Sequence, residues 1–459
     1  MKKPLQSRRE FISKSLKASA ILALPSIVPA RVFGKNAPSN RINVAAIGTG
    51  RISRVHDMPG VWQYDYAQLM AVCDLDSKRA EEGKALVNEF YSRQTGKSYD
   101  GAKVYTDYRE LLQNREIDAV LISTPDHTHA MIGVAAANAK KHIYLQKPAS
   151  LTIKEGRVIS DVVQRSGVKF QIGSQQRSTE QFRYAAELVR NGRIGELKTV
   201  YVGLPGDPPG GNAAEMPVPK NLNYDMWLAG TPMVYYTEDR VHPQNGYGRP
   251  GWLRCEQFGA GMITGWGAHH IDSAHWGMGM EKSGPVEIWC EKAEFASGGL
   301  WDVHGIFKTG AVYSNGVKMI VSNEFQNGIK FEGTKGWIFV SRGDYQVTGS
   351  DPGATTVQAK KIDASDPKIL TSVIGENEFH FTVSREHHGN WLEAIRDNKA
   401  TIAPVEEAHR ACSACLLHHI AMKLKRKLFW DPAKEAFKND QQANQLLSRS
   451  QRRGYEVSG

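Results

Sequence analysis

The sequence predicts a two-domain α/β protein, in which a doubly wound parallel sheet precedes an α+β domain with a large, open, mostly antiparallel sheet. Two observations predict the first domain: short apolar runs alternate with amphipathic segments from residue 41 to residue 173, and the first run leads into a glycine-rich turn. The second domain is predicted by β-rich segments after residue 173 that are joined by glycine-containing turns. A chain of 459 residues is long enough for two such cores.

Residues 1–30 are expected to be an export signal that belongs to neither domain. A basic start precedes the apolar run ASAILALPSIVPA, which is too short and too interrupted by proline to anchor in a membrane. The segment SRREFI (7–12) is similar to the twin-arginine signal, which directs export of proteins that have already folded. We therefore expect a mature chain that begins near residue 31 and a periplasmic or otherwise exported location. The alternative is an amphipathic start in which Arg8 and Arg9 are adjacent by chance.

Composition argues against several other classes of protein. Half of the formal net charge of +10 lies in residues 1–30, which hold six Lys and Arg against Glu10 alone, and no basic run interleaved with aromatic residues follows. We therefore expect no nucleic-acid partner. No stretch approaches ~18 apolar residues, so no stable membrane span is expected. The five cysteines predict no complete disulfide framework, and Cys412 and Cys415 lie in a helical pattern without a second pair to form a metal site.

Six strand-like runs define the first domain, and helical segments separate them. This alternation predicts parallel strands, and six strands match the two βαβαβ halves of a dinucleotide-binding sheet. The runs are INVAAI (42–47), AQLMAVCD (67–74), VYTD, IDAVLIST (117–124), HIYLQKP (142–148) and VKFQIG (168–173).

The turn after the first run predicts a Rossmann-type dinucleotide site. It reads GxGxxS from Gly48, where the usual pattern is GxGxxG; Gly48 permits the tight turn and Gly50 the approach of a pyrophosphate, with Arg51 and Ile52 beside it. Asp74 ends the second run, where a carboxylate accepts the ribose hydroxyls and repels a 2′-phosphate. NAD(H) is therefore the expected cofactor, while Arg51 keeps NADP(H) open as the less favoured one.

Polar residues follow the fourth and fifth runs as well. STPDHTH (123–129) ends the fourth run and Gln146-Lys147-Pro148 the fifth. Ligands of open α/β sheets bind beyond the carboxyl ends of the strands, so both segments are expected to face the same cleft as the glycine turn.

Together, VAAIGTGRIS, STPDHTH and QKP resemble the glucose–fructose oxidoreductase / inositol dehydrogenase / MocA (Gfo/Idh/MocA) family. The likeness covers the chain after the leader, through GSQQRS (173–178), NGRIGELKTV, YDMWLAG, GMITGWGAHHIDSAHWG and FEGTKGWIFV. The resemblance implies that Thr124, Pro125 and His129 border the nicotinamide and that Gln146 and Lys147 lie beside the cofactor. It also implies that Lys147 and His269 meet at the substrate.

The chain departs from the family pattern at two acidic positions. The usual glutamate before the lysine is Gln146, and the usual aspartate four residues before the histidine is Gly265. In many family members the second motif reads D-x3-H-x2-D, and only its His269 and Asp272 are present here. A mechanism that uses a lysine, an aspartate and a histidine would therefore have two of its three ionisable groups. A distinct branch with a reshaped substrate pocket is expected.

The resemblance also sets the expected domains. These are a dinucleotide-binding domain at 31–173, a substrate and oligomerisation domain at 174–384, and C-terminal helices at 385–459 that pack back on the first domain. The insertion (residues 205–260, rich in Gly, Pro and aromatics) is expected to cover the substrate. Homo-oligomers are expected to form through the second sheet. The candidate substrate residues are Gln175, Arg177, Tyr235, His242, His270 and Asp272.

The expected activity is the transfer of hydride between NAD(H) and a CH–OH group of a carbohydrate. The cofactor is expected to be tightly bound, and the substrate is expected to be a sugar or a glycoside. His269, oriented by Asp272, is the first choice for the base, and Lys147 stabilises the oxyanion or acts as the base itself. No metal is expected, since adjacent histidines point apart. Two alternatives remain: a glycosidase that oxidises C3 transiently and eliminates the aglycone, and a non-catalytic carbohydrate-binding descendant.

Overall fold

The computed structural model describes residues 41–343 and 360–459. The expected export signal at 1–30 and the start of the mature chain near residue 31 lie outside the described residues. Among the helices that are described, none is long and apolar enough to cross a membrane.

The first sheet lies within residues 42–172. Its strands are β1 (Ile42–Ile47), β2 (Ala67–Cys73), β3 (Lys103–Tyr105), β4 (Ala119–Ile122), β5 (His142–Leu145) and β6 (Phe170–Ile172). Its helices are α1 (Met58–Trp62), α2 (Ser77–Thr95), α3 (Tyr108–Gln113), α4 (Asp126–Asn138) and α5 (Ile153–Ser166), with a π-helical turn at Ser53–Asp57. The strands run parallel in the order β3-β2-β1-β4-β5-β6, which confirms the doubly wound sheet.

Sequence features explain where these elements begin and end. β4 reads AVLI and is buried along its whole length, as a strand covered by helices on both faces must be. Thr152 and Glu155 form a capping box at the start of α5, which ends at Gly167 in a left-handed conformation (φ +72°). α2 begins after Asp76, whose carboxylate accepts the backbone N–H groups of Lys78 and Arg79.

The strand register places the residues that follow β1, β2, β4 and β5 side by side. Ile47 pairs with Cys73 and Ile122, and Ile122 pairs with Leu145. The next residues along the chain are Gly48, Asp74, Ser123 and Gln146. The glycine turn and the two predicted polar segments therefore share one edge of the sheet.

The second sheet has nine strands in the order β13-β12-β11-β7-β10-β9-β8-β14-β15. They are β7 (Leu197–Gly203), β8 (Pro285–Phe295), β9 (His304–Tyr313), β10 (Lys318–Ser322), β11 (Gly328–Gly333), β12 (Gly336–Val340), β13 (Ile362–Ala364), β14 (Leu428–Asp431) and β15 (Ala436–Phe437). β7 and β10 run parallel and the other paired neighbours antiparallel, which confirms the predicted large, mostly antiparallel sheet.

Eight α-helices follow β6 in the described part of the chain. They are α6 (Glu180–Arg190), α7 (Tyr224–Leu228), α8 (Met262–Gly265), α9 (Gly267–Met278), α10 (Pro367–Leu370), α11 (His387–Arg396), α12 (Val405–Leu424) and α13 (Gln441–Gln445). α12 packs on α5 from the first sheet and on α9 and β8 from the second. Its buried side chains belong to the same apolar cluster as residues of both sheets, so α12 packs the second sheet against the first.

Candidate active site

A cavity of about 950 Å³ lies at the carboxyl edge of the first sheet. The insertion and the start of α9 form its other side. Most of the candidate residues selected from the sequence line this cavity: Gly48, Gly50, Arg51, Ile52, Asp74, Thr124, Pro125, His129, Gln146, Lys147, Gln175, His242 and His269.

The glycine turn brings the backbone to the cavity. Gly48 has φ +87°, and a Cβ atom there would lie 2.7 Å from the carbonyl oxygen of Ser123, so a side chain at position 48 would collide with β4's end. A Cβ atom at Gly83 in α2 would lie 2.8 Å from the side chain of Thr49, which explains how α2 packs closely on the turn. The serine that replaces the third glycine of the pattern, Ser53, is fully buried.

Asp74 fits the ribose of a dinucleotide. The backbone N–H of Thr49 donates to Oδ2 (2.8 Å) and that of Asp76 to Oδ1 (3.0 Å), so both carboxylate oxygens are fixed at the cavity wall. Oδ2 also accepts a hydrogen bond from the hydroxyl of Thr49 (3.0 Å). Because a carboxylate oxygen accepts two hydrogen bonds, Oδ1 is the oxygen that still offers a lone pair to a ribose hydroxyl. The turn and Asp74 together fit NAD(H).

His129 positions the segment that carries Lys147. Its Nδ1 lies 2.6 Å from the carbonyl oxygen of Pro148, and its Nε2 lies 2.8 Å from that of Thr124. The imidazole therefore joins the ends of β4 and β5 from within the fold. It is 1% exposed, which makes its role here the support of the backbone on both sides of the cavity.

His269 is held as a neutral imidazole at the cavity. Burial, together with the positive charges of Arg342 and Lys147, holds its pKa well below the ordinary value. Its Nδ1 is buried and has no hydrogen-bond partner among the described residues. The ring therefore accepts protons weakly unless a bound group changes its surroundings.

The expectation that Asp272 orients His269 is wrong. The carboxylate of Asp272 accepts two hydrogen bonds from the guanidinium of Arg177, at 2.6 and 2.8 Å, and both side chains are buried. Arg177 also pairs with Glu407 on α12. The HxxD spacing therefore serves an ion-pair network that joins α9, the 3₁₀ turn Gln175–Ser178 and α12.

Four predicted substrate residues lie away from the cavity wall in the described structure. Arg177 and Asp272 pair with each other behind it. The imidazole of His270 lies 2.8 Å from Oδ1 of Asn327 and 3.2 Å from the amide of Gln176. Tyr235 is on the outside of the insertion, where its hydroxyl donates to the carbonyl oxygen of Ala213 (2.7 Å). Gln175 and His242 remain at the cavity.

Asp126, within STPDHTH, is an acidic group that was not among the candidates selected from the sequence. It is buried at the start of α4 and lines the cavity. Burial raises its pKa to about 7, and the nearby charges of Lys147 and Arg249 offset only part of that effect. An acidic residue between Pro125 and two histidines was visible in the sequence and could have been selected as a candidate.

Asp57 is a second acidic group that sequence reasoning missed. It follows the glycine turn and is fully buried beneath the cavity, where its carboxylate accepts from Gln146 Nε2 (2.7 Å) and Ser123 Oγ (2.6 Å). Nε2 of His388, on α11, lies 3.2 Å from it and Nδ1 of His56 3.1 Å. In the described part of the chain, these three side chains form the single group close enough to share a metal ion, and their ligand atoms already pair with one another.

The insertion packs on the corner between β2 and α2, next to Asp74. Asp76 accepts a hydrogen bond from Asn221 Nδ2 (2.7 Å), and its Oδ2 lies 3.1 Å from Nε2 of His242. The guanidinium of Arg79 donates to the carbonyl oxygens of Pro243 and Gly246. The insertion therefore packs beside the part of the cavity wall that carries Asp74, and it also lines the cavity. That it covers a substrate stays a prediction.

Tyr247 secures the same contact. Its ring lies under the guanidinium groups of Arg54 (4.2 Å) and Arg79 (4.8 Å), and its hydroxyl donates to Glu82. Cation–π contacts of this kind add stability beyond the buried area.

Comparisons with known families match both halves of the chain. The model described as an oxidoreductase family, NAD-binding Rossmann fold (GFO_IDH_MocA) matches residues 42–174. The model described as an oxidoreductase family, C-terminal alpha/beta domain (GFO_IDH_MocA_C2) matches residues 209–348 and 375–457.

Individual relatives match a smaller part of the chain than the family models do, at low sequence identity. Myo-inositol 2-dehydrogenase of Thermotoga maritima is 28% identical over 37% of this chain and 47% of its own length, and oxidoreductase P35 of Formosa agariphila is 30% identical over 34% and 46%. The chain spans about half the length of the curated relatives that it matches.

Solved structures share the fold over most of the chain. The WlbA dehydrogenase from Bordetella pertussis, in complex with NADH and UDP-GlcNAcA, gives a TM-score of 0.58 at 15% identity, over 85% of this chain and 99% of that one. Levoglucosan dehydrogenase, in complex with NADH and levoglucosan, gives 0.57 at 16% identity over the same shares.

Proposed function

The chain belongs to the Gfo/Idh/MocA family of oxidoreductases, and on that premise we propose that it is an exported enzyme that transfers hydride between a sugar or glycoside hydroxyl and tightly bound NAD(H). Residues 42–174 are its NAD-binding Rossmann domain. One observation carries the proposal: Lys147 and His269, from different parts of the fold, line the same cavity as Gly48 and Asp74. The names of two relatives, an inositol and a levoglucosan dehydrogenase, support a polyhydroxylated substrate.

NAD, when bound, supplies the hydride acceptor. Gly48 and Gly50 would face its pyrophosphate and Asp74 its ribose, and the residues at the ends of β4 and β5 would then border its nicotinamide. The substrate then lies between Lys147 and His269.

Lys147 and His269 divide the handling of the hydroxyl. A charged ammonium at Lys147 stabilises the oxygen as it loses its proton. The neutral imidazole of His269 accepts a hydrogen bond from the hydroxyl and orients it. Burial, and then the charges of Arg342 and Lys147, lower the pKa of His269 and disfavour its full protonation, so Asp126, near Lys147, is an additional acceptor for the proton.

The contacts of the insertion support tight retention of the cofactor. Asn221, His242 and Tyr247 reach residues 76–82, directly beyond the ribose-binding position of Asp74. Those contacts would hold the insertion beside a bound dinucleotide and slow its departure. Retention suits an exported enzyme, which has no soluble NAD pool to draw on, and folded export through the twin-arginine route would carry the loaded cofactor along.

Asp126 favours a second candidate, a glycosidase that oxidises C3 transiently and eliminates the aglycone. Such a reaction needs one group to take the C2 proton and another to protonate the leaving oxygen. A carboxyl group with a pKa of about 7 can do either at neutral pH.

One experiment separates the two candidates. The full-length protein is purified from the exported fraction, its bound nucleotide is identified by mass spectrometry, and its absorbance near 340 nm is followed with a panel of sugars and chromogenic glycosides. Oxidation of a sugar hydroxyl to a carbonyl group, accompanied by reduction of the bound NAD, supports the dehydrogenase. Release of the aglycone without net reduction of the cofactor supports the glycosidase. Protein that carries no nucleotide and reacts with neither class contradicts both; Lys147→Met is the matched inactive control.

A further inference from the structure

The wall of the cavity includes residues that follow β2 and β3. Leu75 comes directly after Asp74, and Tyr108 lies three residues beyond the end of β3. Each half of a doubly wound sheet binds one nucleotide of the dinucleotide, so the half that contains β2 and β3 receives the adenosine. With the ribose at Asp74, the adenine ring would therefore lie beside Leu75 and Tyr108.

The short helix α7, which belongs to the insertion, lines the same cavity with Met226 and Trp227. Both side chains are buried. Sδ of Met226 lies 4.0 Å from a guanidinium nitrogen of Arg109, the residue after Tyr108. Trp227 belongs to an apolar cluster on which Leu75 packs. The helix therefore meets the two segments beside which the adenine would lie.

Backbone hydrogen bonds fix the start of α7 to the corner between β2 and α2. The N–H of Asn223 donates to the carbonyl oxygen of Leu75 (3.0 Å), and the N–H of Ser77 donates to that of Asn221 (2.8 Å). The side chain of Asn223 also caps the helix, because its Oδ1 accepts from the N–H of Met226 (3.1 Å). The position of Met226 relative to Leu75 is thus set by the backbone.

The other end of α7 is fixed to α4, which follows β4. Nε2 of His127 lies 2.8 Å from the carbonyl oxygen of Trp227, and the centres of the two rings are 5.2 Å apart. Burial lowers the pKa of His127 to about 3, so the imidazole is neutral and donates through Nε2. Contacts at both ends therefore hold α7 at the cavity.

The side chains in this part of the cavity suit a purine ring. Leu75 and Met226 are apolar, while Tyr108 and Trp227 are aromatic. A nucleic-acid base stacks on aromatic side chains through its flat face. The thioether of methionine also makes favourable contacts with aromatic rings and adapts its shape to them.

We propose that α7 closes a pocket for the adenine ring of the dinucleotide, in which Met226 packs on the ring together with Leu75 and Tyr108. This inference deepens the proposed function, on which it rests for the identity of the nucleotide, because it names the residues through which the insertion would retain NAD(H). The insertion then contacts the cofactor itself, in addition to packing on the corner between β2 and α2.

Release of NADH measures the contribution of Met226. Full-length protein loaded with NADH is mixed with excess NAD, and the loss of energy transfer from tryptophan to NADH gives the dissociation rate constant. Met226→Ala should raise this constant about ten- to a hundredfold, as expected when most of a buried methionine contact is lost. Met226→Leu keeps the volume and should stay within about threefold of the wild type.

Two further variants separate the pocket from general stability. Leu75→Ala changes the part of the pocket that the first sheet supplies, at a half-buried residue, and should also speed release. Met278→Ala is the matched control, since Met278 is 6% exposed against 4% for Met226 but lies in α9, away from the described wall of the cavity. Its release rate should equal that of the wild type.

AMP assigns the effect to the adenine, because it carries the adenosine and no nicotinamide. Calorimetry on the full chain stripped of nucleotide compares AMP with NAD, and Met226→Ala should weaken both by the same factor. The inference is overturned if the wild type binds NAD but not AMP, if Met226→Ala weakens NAD alone, or if its release rate equals that of Met278→Ala. Rapid release of NADH by the wild type would instead contradict the tight retention in the proposed function, while equal losses for AMP and NAD would still support this pocket.

Discussion

Nε2 of Gln146 donates a 2.7 Å hydrogen bond to Oδ1 of Asp57, which joins the segment that carries Lys147 to the helical turn after the glycine pattern. The carboxylate that position 146 lacks is thus present beneath the cavity, supplied from another part of the chain. Its charge is balanced by His388 on α11. The strand ends that form the cavity are therefore held by a buried ion pair.

This pair makes stability depend on pH. Although burial opposes it, hydrogen bonds to Asp57 and Glu386 raise the pKa of His388 to about 9, above its value in an unfolded chain. A raised pKa contributes stability that is complete below about pH 6.5 and is lost as the pH rises through about 9. We expect the free energy of unfolding, measured with urea, to fall across that interval. His388→Gln should flatten the fall and lower stability at pH 6.5 by about 3–5 kcal/mol, the cost of breaking a buried pair. An identical slope in the variant would contradict the assignment.

Asp74 should decide which dinucleotide binds. Asp74→Ala removes both the acceptor for the ribose hydroxyls and the charge that repels a 2′-phosphate, so NAD should bind more weakly and NADP more tightly than in the wild type. Titration of protein stripped of nucleotide measures both. Asp100→Asn, on the surface beyond α2, is the control. Tighter binding of NADP than of NAD by the unmodified protein would show that Asp74 does not select the cofactor.

Lys147 and His269 should matter for turnover and not for cofactor binding. Loss of a positioned acid–base group costs about 10²–10⁴ in rate, so Lys147→Met and His269→Ala should each lower kcat by that much while nucleotide stays bound. His270→Ala should cost less, since His270 contacts Gln176 and Asn327 behind the wall. Single-turnover cofactor reduction within about tenfold of wild type in both main variants would exclude these residues from proton transfer.

Asp272 should matter for folding more than for chemistry. Asp272→Asn removes the carboxylate that accepts two hydrogen bonds from the buried guanidinium of Arg177, so we expect a loss of about 3–5 kcal/mol in the free energy of unfolding. The pH profile of kcat in the folded fraction should be unchanged because Asp272 does not contact His269. A shifted profile at unchanged stability would restore the role predicted from the HxxD spacing.

The export route is testable in cells. A conservative Arg8→Lys/Arg9→Lys variant should accumulate inside the cell, because the twin-arginine pathway requires the arginine pair. Fractionation of cells that express the full chain, with a Lys2→Arg variant as control, measures the change. Unchanged export of the double variant would exclude the twin-arginine route.

The fold and the cofactor could be predicted from the sequence, but only some of the residues that line the cavity could. Alternating strands, Gly48 and Asp74 predicted the first sheet because those signals are local and periodic. Asp57 and Arg342 were missed because no spacing links them to the motifs; only the tertiary fold brings them to the strand ends. The Asp272 error has a related cause, since i, i+3 spacing on a helix is compatible with contact but does not choose the partner.

The contacts between the insertion and the β2–α2 corner have a kinetic consequence. If the dinucleotide stays in place between turnovers, the cavity is the one place where each reactant can exchange hydride with it. An oxidised sugar must then leave before a hydride acceptor enters, because the two compete for the same cavity. Initial-rate plots at several acceptor concentrations would consist of parallel lines, the ping-pong pattern, and either sugar in excess would inhibit the half-reaction of the other.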